Sequence, residues 1–179
     1  TLNIAYAPDA NGVATVTVVV SDPHDLRVTQ SFTITVNAVN DAPEFALSTS
    51  NIQAYEDGNR TTVDNFIVGV DAGESNQLVP TVAVMIQLDD YKLFTVIPTL
   101  NWVSTRDLSL IYQPTDNLDV VGVATIDVVV VDDGGLANGG LDTTTKTFTI
   151  MVNAVNDAPT FALSTSNIQA YEDGNRTTV

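Results

Sequence analysis

Residues 34–63 read ITVNAVNDAPEFALSTSNIQAYEDGNRTTV, and residues 150–179 read IMVNAVNDAPTFALSTSNIQAYEDGNRTTV. Only Thr35 against Met151 and Glu44 against Thr160 differ, at an offset of 116 residues (34 to 150). A match of that length does not arise by chance, so the chain is built from a repeated unit, and the repeat has to be read before any single element. Outside this block the copies diverge but stay alignable. Ala14-Thr15-Val16 corresponds to Ala124-Thr125-Ile126, and the run Leu2 to Pro8 corresponds to Leu108 to Pro114, at offsets of 110 and 106 residues. The changing offset puts the insertions in loops, where added length costs little closure entropy. The chain therefore divides into the C-terminal part of one repeat (1–42), a complete repeat (43–158) and the N-terminal start of the next (159–179).

Within each copy, apolar and polar residues alternate with period two, and Val, Ile and Thr are abundant, which is the pattern of half-buried strands. One face of 123–131 reads Ala124, Ile126, Val128, Val130, and one face of 147–153 reads Phe148, Ile150, Val152. The same phase runs through Ala14, Val16, Val18, Val20 and through Phe32, Ile34, Val36. No segment carries a helical period. For the complete repeat the pattern predicts strands near 45–54, 60–68, 79–88, 93–97, 107–112, 121–131 and 143–153. Seven short strands in about 100 residues predict an all-β, immunoglobulin-like sandwich, here without the disulfide and core Trp of antibody domains. At about 3.4 Å per residue such a module is roughly 35–45 Å long, and modules in tandem make a rod.

The chain has 179 residues and no Cys, with six Lys+Arg against 22 Asp+Glu and a formal net charge of -16. Its hydrophobic content of 44% is enough to build a core, which argues against disorder. The acidic balance argues against nucleic acid and anionic lipid as partners and favours cations. Without Cys there is no disulfide framework, thiolate metal site or cysteine nucleophile. Apolar runs are broken by Thr, Asp or Asn well short of the roughly 20 residues a membrane helix needs, so no membrane insertion is expected in this segment. The N-terminal Thr-Leu-Asn-Ile-Ala-Tyr does not read as a signal peptide, and an export signal is expected outside the window.

An ordered set of motifs makes the reading more specific: VNAVNDAP, a YEDG step, an Asp-Ala-Gly-Glu loop, Tyr-x-Pro before Gly-Val-Ala-Thr, Val-Asp-Asp-Gly-Gly, and Asn-Gly-Gly-Leu-Asp-Thr. Across essentially the whole chain this set resembles the cadherin-like repeats of giant bacterial calcium-dependent surface proteins, including RTX-type adhesins. The resemblance implies a secreted, surface-attached extender module with calcium at the junctions between repeats.

The acids can be placed by strand order, because alternate loops of a seven-strand sandwich fall at opposite poles. The first loop (Glu56, Asp57) and the fifth (Asp116, Asn117, Asp119) are expected at the C-terminal pole with the exit linker, Asn153, Asn156 and Asp157. The second loop (Asp71, Glu74) and the sixth (Asp132, Asp133) are expected at the N-terminal pole beside the entry linker, with Asn37, Asn40 and Asp41, and Asp9 from the preceding repeat. These fifteen residues, Asn117 aside, are the candidate Ca2+ ligands. Calcium takes six to eight oxygens from carboxylates, Asn side chains and carbonyls, which such loops supply. Asp, Asn and Gly also serve simply as turn formers. Two carboxylates 5 Å apart repel by about 3 kcal/mol at an effective dielectric of 20, however, and several converging acids call for a cation.

Other chemistries fit less well. His24 is the single histidine, sits in the loop Asp22-Pro23-His24-Asp25, and has no counterpart in the complete repeat, so no serine triad can be assembled there. Near-identical tandem copies also argue against an enzyme, since one active site needs no copies. Trp102 and Tyr91 are the residues on which a carbohydrate- or protein-binding module would rest. The leading expectation is a calcium-stiffened spacer of a bacterial adhesin or extracellular filament, whose partners are neighbouring repeats and neighbouring chains.

Overall fold

The computed structural model describes residues 2–73, 80–86, 88–116, 120–170 and 172–174. The chain is all-β. Strands β1 (Gly12–Ser21) and β2 (Arg27–Val36) form an antiparallel hairpin. Its turn is set by Asp22, whose Oδ1 accepts the backbone N–H groups of His24 at 2.8 Å and Leu26 at 2.9 Å. The complete repeat carries β3 (Glu44–Leu47), β4 (Asn51–Tyr55), β5 (Thr61–Asp71), β6 (Thr81–Ile86), β7 (Phe94–Trp102), β8 (Leu108–Pro114), β9 (Gly122–Val131) and β10 (Thr143–Asn153). Short 3-10 turns lie at Leu88–Leu93 and Ala137–Gly139. No helix among the described residues is long and apolar enough to cross a membrane.

These strands form two four-stranded sheets, ordered β4-β10-β9-β6 and β3-β5-β8-β7. Alternation decides which side chains meet between them. From the first sheet Ile126, Val128, Val130, Phe148, Ile150 and Val152 are buried, and from the second Phe45, Phe66, Ile67, Leu108, Leu110 and Tyr112, all in one core cluster. Phe66 and Phe148 meet edge to face across the core, 4.7 Å between ring centroids and 63° between planes. Two sheets sharing one core is an arrangement consistent with a β-sandwich.

Beyond small shifts of strand ends, such as β5 running on to Asp71 and Leu88 falling in a 3-10 turn, the structure differs from the sequence reading in two places. The single strand expected over 45–54 is divided at Ser48–Ser50 into β3 and β4, which belong to opposite sheets, so the described residues of the complete repeat hold eight strands rather than seven. The cause lies in the side-chain phase: Phe45 and Leu47 face the core at odd positions, Ile52 and Ala54 at even ones. A strand that keeps period two cannot do both. The break is fixed by Thr49, whose Oγ1 donates to the Asn51 carbonyl at 3.0 Å and accepts the Asn51 N–H at 3.2 Å. The strand expected over 93–97 runs on to Trp102 through Pro98. Proline is tolerated there because β7 is an edge strand, and the β7–β8 register shifts between Val96 and Thr99.

The β1–β2 hairpin repeats the β9–β10 pairing. Ala14 faces Ile34 and Val16 faces Phe32, as Ala124 faces Ile150 and Ile126 faces Phe148. The burial does not repeat. Phe148 is 1% exposed, whereas Phe32 is 41% exposed, because no second sheet among the described residues lies over the hairpin. Phe148→Ala is therefore expected to cost about 3–5 kcal/mol of stability. Phe32→Ala should stay within about 0.5 kcal/mol. Urea unfolding followed by the fluorescence of Trp102, which lies on β7, reads both variants.

Candidate functional site

At the C-terminal pole, β4 ends in the turn Glu56-Asp57-Gly58. Asp57 adopts a left-handed backbone (φ 60°), and the Gly58 N–H returns to the Tyr55 carbonyl at 3.2 Å. This turn is held on both sides: the Glu56 N–H donates to the Asn153 carbonyl and the Asp57 N–H to the Thr115 carbonyl, each at 3.0 Å. The Glu56 side chain is thereby folded under the exit linker and is 2% exposed. Its Oε1 accepts the Val155 N–H at 2.9 Å, while its Oε2 is buried with no hydrogen-bond partner. Asp57 has its carboxyl pushed above the ordinary aspartate range, first by partial desolvation and then by the charges of Asp157, Glu56 and Asp116. Asn153 spends its amide nitrogen on the Gln53 side chain and the Ala54 carbonyl, both at 3.0 Å, and the Asn156 amide donates to the Asp157 carbonyl at 3.3 Å. Glu56, Asp57, Asp116, Asn153 and Asp157 thus share one pole. Asp119 and Asn117 lie outside the described residues.

At the opposite pole, Asp132 follows β9. Its Oδ1 accepts the Asn40 side-chain amide at 3.0 Å and the Gly134 N–H at 2.8 Å, and its Oδ2 is buried without a partner. Asp71 ends β5. Its Oδ1 accepts the Gly73 N–H at 3.1 Å and its Oδ2 pairs with the Arg106 guanidinium, whose Nε donates to the Val70 carbonyl at 3.2 Å. Asp9, Asp41 and Asp71 line one cleft of about 630 Å³ together with Glu44 and Gly73. Asp9, Asn37 and Asp41 also line a smaller one of about 200 Å³. Asp133 is exposed, and Glu74 lies outside the described residues.

Each pole therefore holds a buried carboxylate oxygen that its own surroundings do not satisfy. Leaving such an atom dry is costly, and a cation or a donor from outside removes the cost. The chemistry of the donors suits a hard divalent ion: carboxylates, backbone carbonyls, and no sulfur or imidazole. Among the described residues no three His, Cys, Asp or Glu side chains converge closely enough to hold a metal ion. Two polar partners were not foreseen from sequence. Arg106 neutralises Asp71, and Asn40 turns its amide nitrogen toward Asp132; both depend on contacts between segments far apart in the chain. The aromatic pair weighed for sugar binding lies on separate elements, Tyr91 in the 3-10 turn and Trp102 at the end of β7, each about two-fifths exposed.

No family model matches the chain, and no curated protein matches it. Among solved structures, an endo-fucoidan hydrolase, MfFcnA4 from glycoside hydrolase family 107, is similar with a TM-score of 0.38 and 18% identity over 81% of this chain. The chain spans 19% of that protein's length. A likeness this distant says nothing of activity.

The loop that supports Arg106 makes a pH-dependent contribution. Asp107 accepts the Gly69 N–H at 3.1 Å and the Ser104 hydroxyl at 2.8 Å. Those bonds, with the neighbouring Arg106 charge, hold its carboxyl below the ordinary aspartate range against a smaller opposing effect of desolvation. A lowered folded-state value means that the stabilisation is complete above the unfolded-state value and is lost as pH falls through the folded-state one. Asp107→Ala should therefore destabilise the protein at neutral pH, and the gap to the parent should close in acid. Urea melts from pH 7 down to pH 3 measure it; a pH-independent gap would refute the assignment.

Proposed function

We propose that the chain is a stretch of tandem β-sandwich modules that act as extenders of a long bacterial cell-surface adhesin or extracellular filament, with calcium bridging the poles of successive repeats. On this reading it has no catalytic role, its length and stiffness are its function, and it is secreted. The observation that carries the proposal is the pairing of the internal repeat with the buried, unpartnered Oε2 of Glu56 directly beneath the exit linker. In the sequence Glu56 precedes the exit linker and Asp132 belongs to the repeat that follows the entry linker; on this reading a Glu56-type pole precedes each linker of the array and an Asp132-type pole follows it.

The 179 residues contain both halves of neither junction. The entry linker is followed by its Asp71, Asp132 and Asp133 pole but lacks the Glu-Asp step of the preceding repeat. The exit linker has Glu56, Asp57 and Asp116 behind it, while residues 159–179 stop short of the next repeat's second and sixth loops. With both halves present, Glu56, Asp57, Asp116, Asn153 and Asp157 would supply one side of the ion and Asp132, Asp133, Asp71 and Asp41-type residues the other. The ion's role would be to replace carboxylate repulsion with shared coordination. At the second pole Asp71 would share its charge between the ion and Arg106, and Asn40, whose amide nitrogen donates to Asp132, would ligate through its amide oxygen.

The test is small-angle scattering of a protein with several consecutive repeats. In millimolar calcium, the range in which extracellular modules commonly bind, the scattering should be that of an extended rod, and in excess EGTA that of a jointed, more compact chain. Glu56→Gln should weaken calcium binding on the order of tenfold or more and shift that transition to higher calcium, while isolated module stability in EGTA changes little. Superimposable scattering in the two conditions would leave a generic β-sandwich spacer.

A further inference from the structure

The linker entering the module and the linker leaving it share one sequence, VNAVNDAP at 36–43 and at 152–159, yet they are placed differently. At the entry Asn40 and Ala42 are half-buried and Pro43 is buried. At the exit Asn156, Ala158 and Pro159 are exposed. With sequence equal, the difference comes from what lies alongside. Beside the entry linker is the loop joining β9 to β10, which is closed on itself by Asp132 N–H to the Asp142 carbonyl and Gly140 N–H to the Ala137 carbonyl, both at 3.0 Å. Asn138 within it adopts a left-handed backbone (φ 58°), and this aims its side chain outward at the linker.

Four hydrogen bonds cross from loop to linker. Asn138 Nδ2 donates to the Ala38 carbonyl at 3.1 Å, and the Leu141 N–H donates to the Asn40 carbonyl at 3.0 Å. The Asn40 amide nitrogen donates to the Leu141 carbonyl and, at 3.0 Å, to Asp132 Oδ1. Two acceptors facing one nitrogen fix the orientation of that amide. The packing is equally close: a Cβ on Gly140 would stand 2.9 Å from Asn40 Cβ and 3.0 Å from its backbone nitrogen, and a Cβ on Gly73 would stand 3.1 Å from the Asp41 carbonyl. Asn40 is read as Asn specifically. An Asp in its place would set a second carboxylate against Asp132, and an Ala would take away one of the donors to Asp132 Oδ1.

We infer that the 132–142 loop is a docking surface for the Ala-Val-Asn-Asp segment of the repeat that precedes it, a latch made of direct hydrogen bonds that needs no metal. The exposed Ala154–Asp157 segment is the same ligand, presented to the latch of a following repeat. The inference rests on the repeat organisation proposed above and is independent of the cation. It also locates the joint: the following module holds the linker at Ala38 and Asn40, while the preceding module holds it at the equivalent of Val39, as Glu56 holds the Val155 N–H, so the two grips meet on the same short segment.

The chain supplies its own control, since two linkers of identical sequence differ in whether Asn40 or Asn156 and the residues after it meet a 132–142 loop. The experiment is residue-resolved NMR relaxation and amide exchange on the full 179-residue chain in excess EGTA. Asn40–Ala42 should be as ordered on the ps–ns timescale as β9 and β10, Asn156–Ala158 should be mobile, and the Leu141 amide should be protected. Gly140→Ala, which wedges the contact, and Asn138→Gly, which removes one bond while keeping the left-handed backbone, should each speed Leu141 exchange by roughly tenfold or more. Both should bring Asn40–Ala42 to the mobility of Asn156–Ala158 without changing exchange in β9–β10. Equal mobility of the two linkers in EGTA would overturn the latch, as would variants that leave Leu141 unchanged. Order at Asn40–Ala42 that appears only on adding calcium would also overturn it while leaving the calcium proposal standing. An ordered entry linker with no calcium binding anywhere would support the latch and remove the calcium proposal alone.

Discussion

The packing of β10 against the opposite sheet, with Phe148 seated on Phe66 and Ile150 and Val152 beside it, is the contact on which the rest of the molecule depends. It joins the two sheets, and by fixing β10 it also fixes where the chain leaves the module. β4 pairs in parallel with the last part of β10, Thr149 with Asn51 through Asn153 with Tyr55. That pairing carries Glu56, one residue beyond β4, directly under Asn153 and Val155. The buried carboxylate at the C-terminal pole is thus a consequence of core register: a one-residue slip of β4 on β10 would turn Ala54 out of the core and move Glu56 away from the linker.

The same core makes the charge distribution tolerable. A formal net charge of -16 works against a compact state through self-repulsion. The acids lie at turns or at strand positions facing away from the core, as Asp64 on β5 and Asp127 on β9 do, and several are neutralised locally. Arg106 pairs with Asp71, backbone N–H groups serve Asp107 and Asp132, and Asn40 adds its amide to Asp132. What local structure leaves uncompensated is concentrated at the two poles, in Glu56 Oε2, Asp132 Oδ2 and the group of like charges around Asp57. Those are the surfaces that successive repeats would turn toward one another.

Much of this was legible in the sequence, and the parts that were not share a cause. The core faces of β9 and β10 follow from alternation alone, and the strand 143–153 was bounded correctly, its period two being written in Phe148, Ile150 and Val152 and its earlier part in the run of β-favouring Thr. The grouping of Glu56 and Asp57 with Asp116 and Asp157 followed from loop order. The split of β3 from β4 was written in the shift from Phe45 and Leu47 to Ile52 and Ala54, but a reading that counts apolar residues without tracking phase passes over it. The continuation of β7 through Pro98 required knowing that β7 is an edge. The Arg106–Asp71 pair and the Asn40 latch join positions tens of residues apart whose local sequences resemble ordinary turns, so no local pattern announces them.

The central claim is that a cation joins the poles of adjacent repeats, and the most direct measurement is anomalous diffraction from crystals of a protein holding two complete consecutive repeats, grown in millimolar calcium. The account predicts a peak at the joint within about 2.3–2.6 Å of the Glu56 Oε2 position, with further oxygens drawn from the Asp132 pole of the following repeat. A joint with no ion, in which Glu56 Oε2 is satisfied by a protein donor instead, would contradict it.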